Sequence, residues 1–310
     1  MNQLKVTFRT HEDSDVDALV QLTQDAAKTD RVDPKSTLER VPSRDALSDP
    51  ELLIAEDSET GDILGYGAIQ WWEEDDGTLV YLHSGTVRTG ARGKGVGLKL
   101  LKELQSRARS LAADKSAPSK VLGANASQTE AGASELLLAD AYQKVWSQVE
   151  MEYTAMDKLS RLPHPEAFEL RPIKSEKEKR QVYHANKRVY AGQFGNPQPS
   201  EEDYQEFIED SSETSLWKVL WHDNDIAGFV LSRMRPNGAE VMEVSVMPEF
   251  RRRGLGTYLM VESMLELRKR GVDEVRLHTG AEGKMGGRQL YESLGFKALK
   301  EHYRYRKPLH

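Results

Sequence analysis

Two stretches of this chain carry the same glycine-punctuated turn. Arg92-Gly93-Lys94-Gly95-Val96-Gly97 and Arg251-Arg252-Arg253-Gly254-Leu255-Gly256 both read Arg-x-x-Gly-x-Gly, half a chain apart. Each follows a short apolar run, Leu82 to Val87 and Val241 to Val246, and each opens a helical pattern. A glycine-rich turn between a strand and a helix N-terminus aims backbone N–H groups and the helix dipole at one point, which makes a pyrophosphate cradle. Two such turns in matching contexts predict two copies of one domain.

Length and composition fit that reading. The 310 residues suit two domains of about 150 residues, each able to bury a core. No run of 18 apolar residues is present, so no membrane span is expected. Met1 to Arg9 lacks a charged segment followed by an apolar one, so no secretory leader is expected. The chain has no cysteine, which excludes disulfides, thiolate metal sites and an acyl-cysteine intermediate. These features point to a cytoplasmic protein. A net charge of −7 argues against nucleic acid as a partner and is compatible with a cationic or amine substrate. His184, His222 and His278 are scattered without metal-ligand spacing, so no metal is expected.

The two halves read alike. In the first, a short strand at Val6–Arg9 precedes an amphipathic helix through Val16, Leu19, Val20 and Leu22. A hairpin follows (Leu52–Glu56, Ile63–Trp71), then a strand at Leu79–Val87, the glycine turn, and a helix through Leu98, Leu101, Leu104, Ala108 and Leu111. A short strand at Val121–Ala124, a helix at Glu130–Ala141 and a strand at Val149–Tyr153 complete it. The second half repeats this order: Glu169–Arg171, a charged helix Glu176–Tyr190, a hairpin Trp217–Trp221 and Ile226–Met234, a strand Glu240–Val246, the turn, and a helix to Leu267. Val275–His278, Gly287–Leu294 and His302–Tyr305 follow. Residues 1–156 and 168–310 are thus expected as two domains. A linker at 157–167 carries Pro163 and Pro165.

This order predicts an α/β fold with a mixed sheet. There is no Gly-x-Gly-x-x-Gly, so it is not a Rossmann unit. Gly93-Lys94 is followed by Gly95 where a Walker turn needs Ser or Thr to hold magnesium. The chain resembles the GNAT superfamily of N-acetyltransferases, twice over. Both turns match the family's Gln/Arg-x-x-Gly-x-Gly/Ala motif. Leu290-Tyr291-Glu292-Ser293-Leu294-Gly295-Phe296 matches its Leu-Tyr-x-x-Leu-Gly-Phe segment. The resemblance implies two tandem GNAT-like domains, each a mixed, mostly antiparallel sheet flanked by helices, with acetyl-CoA as co-substrate.

The resemblance also implies roles. Arg251, Arg252, Arg253, Gly254, Leu255, Gly256 and Thr257 would hold the CoA pyrophosphate, with the pantetheine arm along Val244 to Val246. Lys284, where the family often has Asn, would meet a phosphate or the arm. Val87, Arg92, Gly93, Lys94, Gly95, Val96 and Gly97 are the equivalent set in the first half. Glu240, eleven residues before Arg251, matches the family's general base; Glu243 is a second carboxylate on that strand. Tyr291 matches the general acid. In the first half the corresponding positions are Tyr81 and Leu137, so that half is expected to be a degenerate copy that is not catalytic. Tyr81, His83 or Tyr142 would be the catalytic groups if it is active.

The acceptor site of such a fold is walled by the early helices, here Tyr190 to Phe207. Phe194, Asp203 and Tyr204 are its candidate contacts, and acids among aromatics suit an amine. An acidic first helical turn after Pro199-Ser200 accounts for the same acids. The expected function is transfer of acetyl from acetyl-CoA to a small-molecule primary amine by a monomer or homodimer without nucleic-acid or membrane partners. Peptide or protein N-acetylation and a non-catalytic CoA sensor are the competing readings.

Overall fold

Periodic burial of apolar side chains builds the expected order of elements twice, with one added helix, Glu201–Asp210, in the second repeat. The protein is described by a computed structural model covering residues 4–39, 41–49, 51–195, 199–210, 213, 216–282 and 286–310. The first repeat runs β1 (Val6–Thr10), α1 (Val16–Asp30), β2 (Leu53–Asp57), β3 (Ile63–Glu73), β4 (Thr78–Val87), α2 (Val96–Ala112), β5 (Ser119–Ser127), α3 (Ala131–Ala139) and β6 (Gln143–Tyr153). The second runs β7 (Glu169–Leu170), α4 (Glu176–Tyr190), α5 (Glu201–Asp210), β8 (Lys218–His222), β9 (Asp225–Arg235), β10 (Gly238–Val246), α6 (Leu255–Lys269), β11 (Val275–Gly280), α7 (Gly287–Leu294) and β12 (Lys297–Pro308). Strands β6 and β12 are longer than the alternating apolar pattern alone predicts. Among the described residues, no helix is long and apolar enough to cross a membrane.

The chain forms two compact units, Met1–Trp146 with His302–His310, and Ser147–Glu301. In the first, the strands are ordered β1-β2-β3-β4-β5-β12, with His302–Pro308 of β12 antiparallel to β5. In the second the order is β6-β11-β10-β9-β8-β7, with Gln148–Tyr153 of β6 antiparallel to β11. The sequence repeats and the compact units therefore differ in one element: the last strand of each repeat completes the sheet of the other unit.

Helices cover both faces of each sheet. In the first unit α1 buries Leu19 and Leu22 against Ile54 and Tyr66. On the opposite face α2 packs Leu101 and Ala108 against Leu79, Tyr81 and Leu122. In the second unit α4 sets Val182 on Trp217, Phe229 and Leu231; α6 and α7 set Leu259, Met264 and Tyr291 on Val241 and Leu277.

One feature of the pairing makes room for a ligand. Strands β4 and β5 are parallel partners only over Thr78–Leu82 and Ser119–Gly123, then continue to Val87 and Ser127. Strands β10 and β11 pair only over Ala239–Val241 and Val275–Leu277 before running on to Val246 and Gly280. Each sheet thus opens between its two parallel strands, and the strand that leads into the glycine turn forms one side of the opening.

Candidate active sites

The two glycine turns have the same backbone. Gly93 and Gly95 lie at φ 71° and 84°, and Arg252 and Gly254 at φ 61° and 74°. The left-handed region is costly for a residue with a side chain, so Arg252 holds a conformation that the first copy assigns to glycine. A Cβ on Gly95 or Gly254 would enter open space, leaving the helix N-terminus free for a ligand to approach. Gly97 and Gly256 face the neighbouring helix instead, with Leu136 and Leu290 as the nearest side chains. In both turns the leading arginine donates Nε–H back to the strand: Arg92 to the Val87 carbonyl at 3.1 Å and Arg251 to Val246 at 3.0 Å. They differ in their remaining partners. Arg92 grips Asp30 through both terminal nitrogens, at 2.6 and 2.9 Å. Arg253 lies over the Phe250 ring, Leu255 is buried, and Lys284 lies outside the described residues.

Before the second turn, β10 carries a bulge between Val241 and Glu243. The bulge brings Glu240 and Glu243 to one face of the sheet, the face covered by α4. Glu240, the expected base, is 5% exposed and committed to an ion network. Its Oε2 accepts from Arg233 at 2.9 Å and from Arg235 at 3.0 Å, and His278 Nδ1 lies 3.3 Å from Oε1. Burial opposes ionisation here, yet His278, Arg235 and Arg233 hold the carboxyl well below the usual range. Such a group takes up a proton poorly near neutral pH.

Glu243 has the opposite environment. Burial raises its carboxyl to about 7, while the Tyr190 phenol, the Asn186 amide and the Lys187 charge on α4 draw it back down only in part. Burial and the Glu243 carboxylate together push Tyr291 up. The same two causes raise Tyr190. Tyr291 sits on α7 with its ring against Phe296 at 5.9 Å. Glu243, Tyr190 and Tyr291 thus form one electrostatically coupled group beside the opening of the second sheet. Asn186 escaped the sequence reading because a polar residue in a charged helix carries no pattern of its own.

The candidate acceptor contacts have structural partners. Asp203 accepts from the Tyr183 hydroxyl at 2.8 Å and pairs with Lys187 at 2.6 Å. Tyr204 is buried, donates to Glu176 and stacks under Arg180. Both fasten α5 to α4. Phe194 is 36% exposed.

In the first unit the opening is a cleft of about 470 Å³, lined by the turn, by β4 from His83 to Val87, and by α2 and α3. Strand β4 pairs with β3 residue for residue from Val87 to Leu79. Ser84, three residues before Val87 as Glu243 is before Val246, stands where the second unit has Glu243. Leu137 lines the cleft in the place of Tyr291, and Tyr81 is fully buried in the core. His83 and Tyr142, far apart in sequence, meet at 2.7 Å. Among the described residues, no group of three or more His, Asp or Glu side chains could hold a metal ion.

Comparison with known proteins bears on the family and the repeated fold. The profile of the acetyltransferase (GNAT) family matches residues 17–126 and 180–296. The ribosomal protein bS18-alanine N-acetyltransferase of Salmonella typhimurium is 34% identical over 90 residues, 29% of this chain and 60% of that protein, so the match spans less than two thirds of the relative. A GCN5-related N-acetyltransferase from Sphaerobacter thermophilus shares the fold with a TM-score of 0.76 at 20% identity, over 98% of this chain and 96% of the other. A tandem GNAT protein from the clavulanic acid biosynthesis pathway does so with a TM-score of 0.68 at 14% identity, over 99% of both chains. Matched in both repeats and sharing its fold with a tandem relative over nearly its whole length, the chain belongs to the acetyltransferase (GNAT) family and carries two GNAT domains.

Proposed function

We propose that the protein is an acetyl-CoA-dependent N-acetyltransferase whose second unit transfers acetyl to a primary amine of a small molecule. One juxtaposition carries this reading: Glu243 and Tyr291 are coupled beside the β10–β11 opening, on the strand that leads into the glycine turn. The residues present suit the donor. The turn from Arg251 to Thr257 offers backbone N–H groups with open space before Gly254, and the free side of Val244–Val246 offers strand edge to a pantetheine arm. Bound acetyl-CoA would supply the acetyl group as a thioester.

Glu243, in place of the expected Glu240, is the base in this proposal. An acceptor ammonium must lose its proton before it can attack, and a carboxyl at about 7 is matched to that task near neutrality. Tyr291, kept protonated, gives its proton to the departing thiolate and regains one from the acceptor nitrogen, which loses its second proton as the amide forms. The two steps assist each other. While Glu243 is ionised, its charge holds the Tyr291 proton in place. Once Glu243 has accepted the ammonium proton that charge is gone, and Tyr291 becomes the better donor as the thiolate leaves. The first unit keeps a turn and a cleft but has Ser84 and Leu137 in place of the pair, so it is read as holding CoA without transfer.

A second reading, acetylation of a peptide N-terminus, is favoured by the likeness to the bS18-alanine N-acetyltransferase. Thiol release from acetyl-CoA, measured with a panel of small amines and an alanine-terminated peptide, separates the two. Turnover with small amines that is lost in Glu243→Gln supports the proposal. Turnover with the peptide alone moves the acceptor to the second reading, and no thiol release with any acceptor contradicts both.

A further inference from the structure

The cleft of the first unit ends at a histidine whose proton is fixed from a distance. Pairing of β4 with β5 stops at Leu82 and Gly123, and His83 is the next residue on β4, 7% exposed and lining the cleft. An extended strand from Val87 to His83 spans about 13 Å. A pantetheine arm anchored by its phosphates at the glycine turn and laid along β4 therefore ends near His83.

The hydrogen bonds behind His83 begin at a charge. Asp140 accepts from Lys102, from Lys307 Nζ at 3.0 Å and from Gln105 Nε2 at 2.5 Å. The Lys102 ammonium, 3.5 Å from Gln105 Oε1, fixes the amide's orientation. Gln105 Nε2 also donates to the Tyr142 hydroxyl at 3.2 Å. The Tyr142 oxygen, accepting from Gln105, directs its own proton to His83 Nε2 at 2.7 Å. A neutral imidazole that accepts at Nε2 carries its proton on Nδ1, a tautomer assigned from the network. Burial keeps the ring neutral, lowering it to about 4. The Nδ1–H has no partner among the described residues.

We propose that the first unit reads the acyl group: His83 donates its Nδ1–H to the carbonyl oxygen of a thioester at the His83 end of the cleft, so the site selects acylated CoA over free CoA. The inference rests on the reading that this unit holds CoA. A free thiol or a thioether offers sulfur, a weak acceptor, and would cover the Nδ1–H without satisfying it. The charge on Asp140 orients the donor through Gln105 and Tyr142 without entering the cleft. His83 is a specificity residue here, not a catalytic one.

The test uses the full chain with Arg251→Glu and Arg253→Glu, which reverse the charge at the second turn, and titrates acetyl-CoA, S-ethyl-CoA and CoA by calorimetry. Acetyl-CoA is expected to bind about tenfold more tightly than the other two, the weight of one satisfied buried donor. The thioether S-ethyl-CoA matches the acyl chain in bulk but lacks the carbonyl. His83→Leu should bring the ratio to about one, His83→Gln should restore part of it through its amide N–H, and Tyr142→Phe should reduce it by releasing the tautomer. Equal affinities for the three ligands with His83 intact overturn the inference and leave CoA binding in place. An unchanged ratio in His83→Leu also overturns it. No binding of any ligand overturns both the inference and the reading beneath it.

Discussion

Glu240 and Glu243 project from the same face of β10 although they are three residues apart. Their partners on β9 are Arg233 and Leu231, two residues apart and therefore on one face. The bulge at Met242 adds one residue to β10 and cancels the parity that would have sent the two carboxyls to opposite sides. Sharing a face, they have opposite electrostatics. Glu240 is held ionised by His278, Arg235 and Arg233 against the cost of burial, while burial raises Glu243 to about 7.

Glu243→Gln is therefore expected to lower kcat by about 10²–10³-fold at pH 7–8, the range of a lost general base. In the wild type, kcat/KM should rise with pH through about 7 as Glu243 loses its proton. Stability should move the other way. A carboxyl raised in the folded state favours folding most at low pH, and that contribution is lost as pH rises through about 7. Above pH 8, Glu243→Gln should be the more stable protein by ~1–3 kcal/mol in urea denaturation. A full-activity Glu243→Gln enzyme would exclude this residue as the base.

Glu240→Gln should act on folding more than on chemistry. Removing this charge leaves Arg233 and Arg235 facing a neutral amide, and breaking a buried ion network costs about 3–5 kcal/mol. Because the Glu240 carboxyl is depressed, its contribution is present above about pH 4.3, the unfolded value, and is lost as pH falls through its folded value. The wild type should lose stability on acidification below pH ~4, with a smaller loss in Glu240→Gln. Urea midpoints measured from pH 3 to 8 check this. A variant of normal stability with kcat reduced a thousandfold would return the base to Glu240.

The repeat and its order of elements were legible because glycine turns and apolar periodicity are local signals. The charged helix read at about Glu176 to Tyr190 forms over those residues, capped by Ser175, whose side chain accepts from Glu178 N–H. The turn residues were legible for the same reason. Counting back from Arg251 led to Glu240; a one-residue bulge is invisible in sequence, and it puts Glu243 on the same face of the strand. Composition cannot show that Lys187, Tyr183, Glu176 and Arg180 engage Asp203 and Tyr204, two of the candidate acceptor contacts. The meeting of His83 with Tyr142 and the placement of β12 beside β5 depend on chain reversals with no local signature.

Tyr291→Phe should leave the fold intact, since the ring keeps its contacts with Phe296 and the α7 core. Its kcat should fall by about 10²-fold or more with little change in KM for acetyl-CoA, because only the proton for the thiolate is removed. The same CoA thiolate departs whichever amine attacks, so the loss should be uniform across the amine panel. Undiminished turnover would remove Tyr291 as the acid.

Ending the chain at Glu301 is expected to unfold the first unit's sheet edge, although the residues removed belong to the second repeat. The deletion takes Tyr305, 3% exposed, out of the core formed by Leu79, Leu122 and Tyr142. It also removes the Arg306 guanidinium from Glu74, a buried carboxylate on the β3–β4 hairpin, and Lys307 from Asp140. Removing one partner of a buried ion pair costs about 3–5 kcal/mol, and Ser119–Ser127 would lose a strand partner on one side. Hydrogen exchange should show loss of protection through β5 in the truncated protein. Arg306→Ala, which keeps the strand, should show a smaller loss. If β5 stays protected without residues 302–310, the pairing of β12 with it contributes nothing to the first unit, and the exchange of last strands between repeats is dispensable for folding.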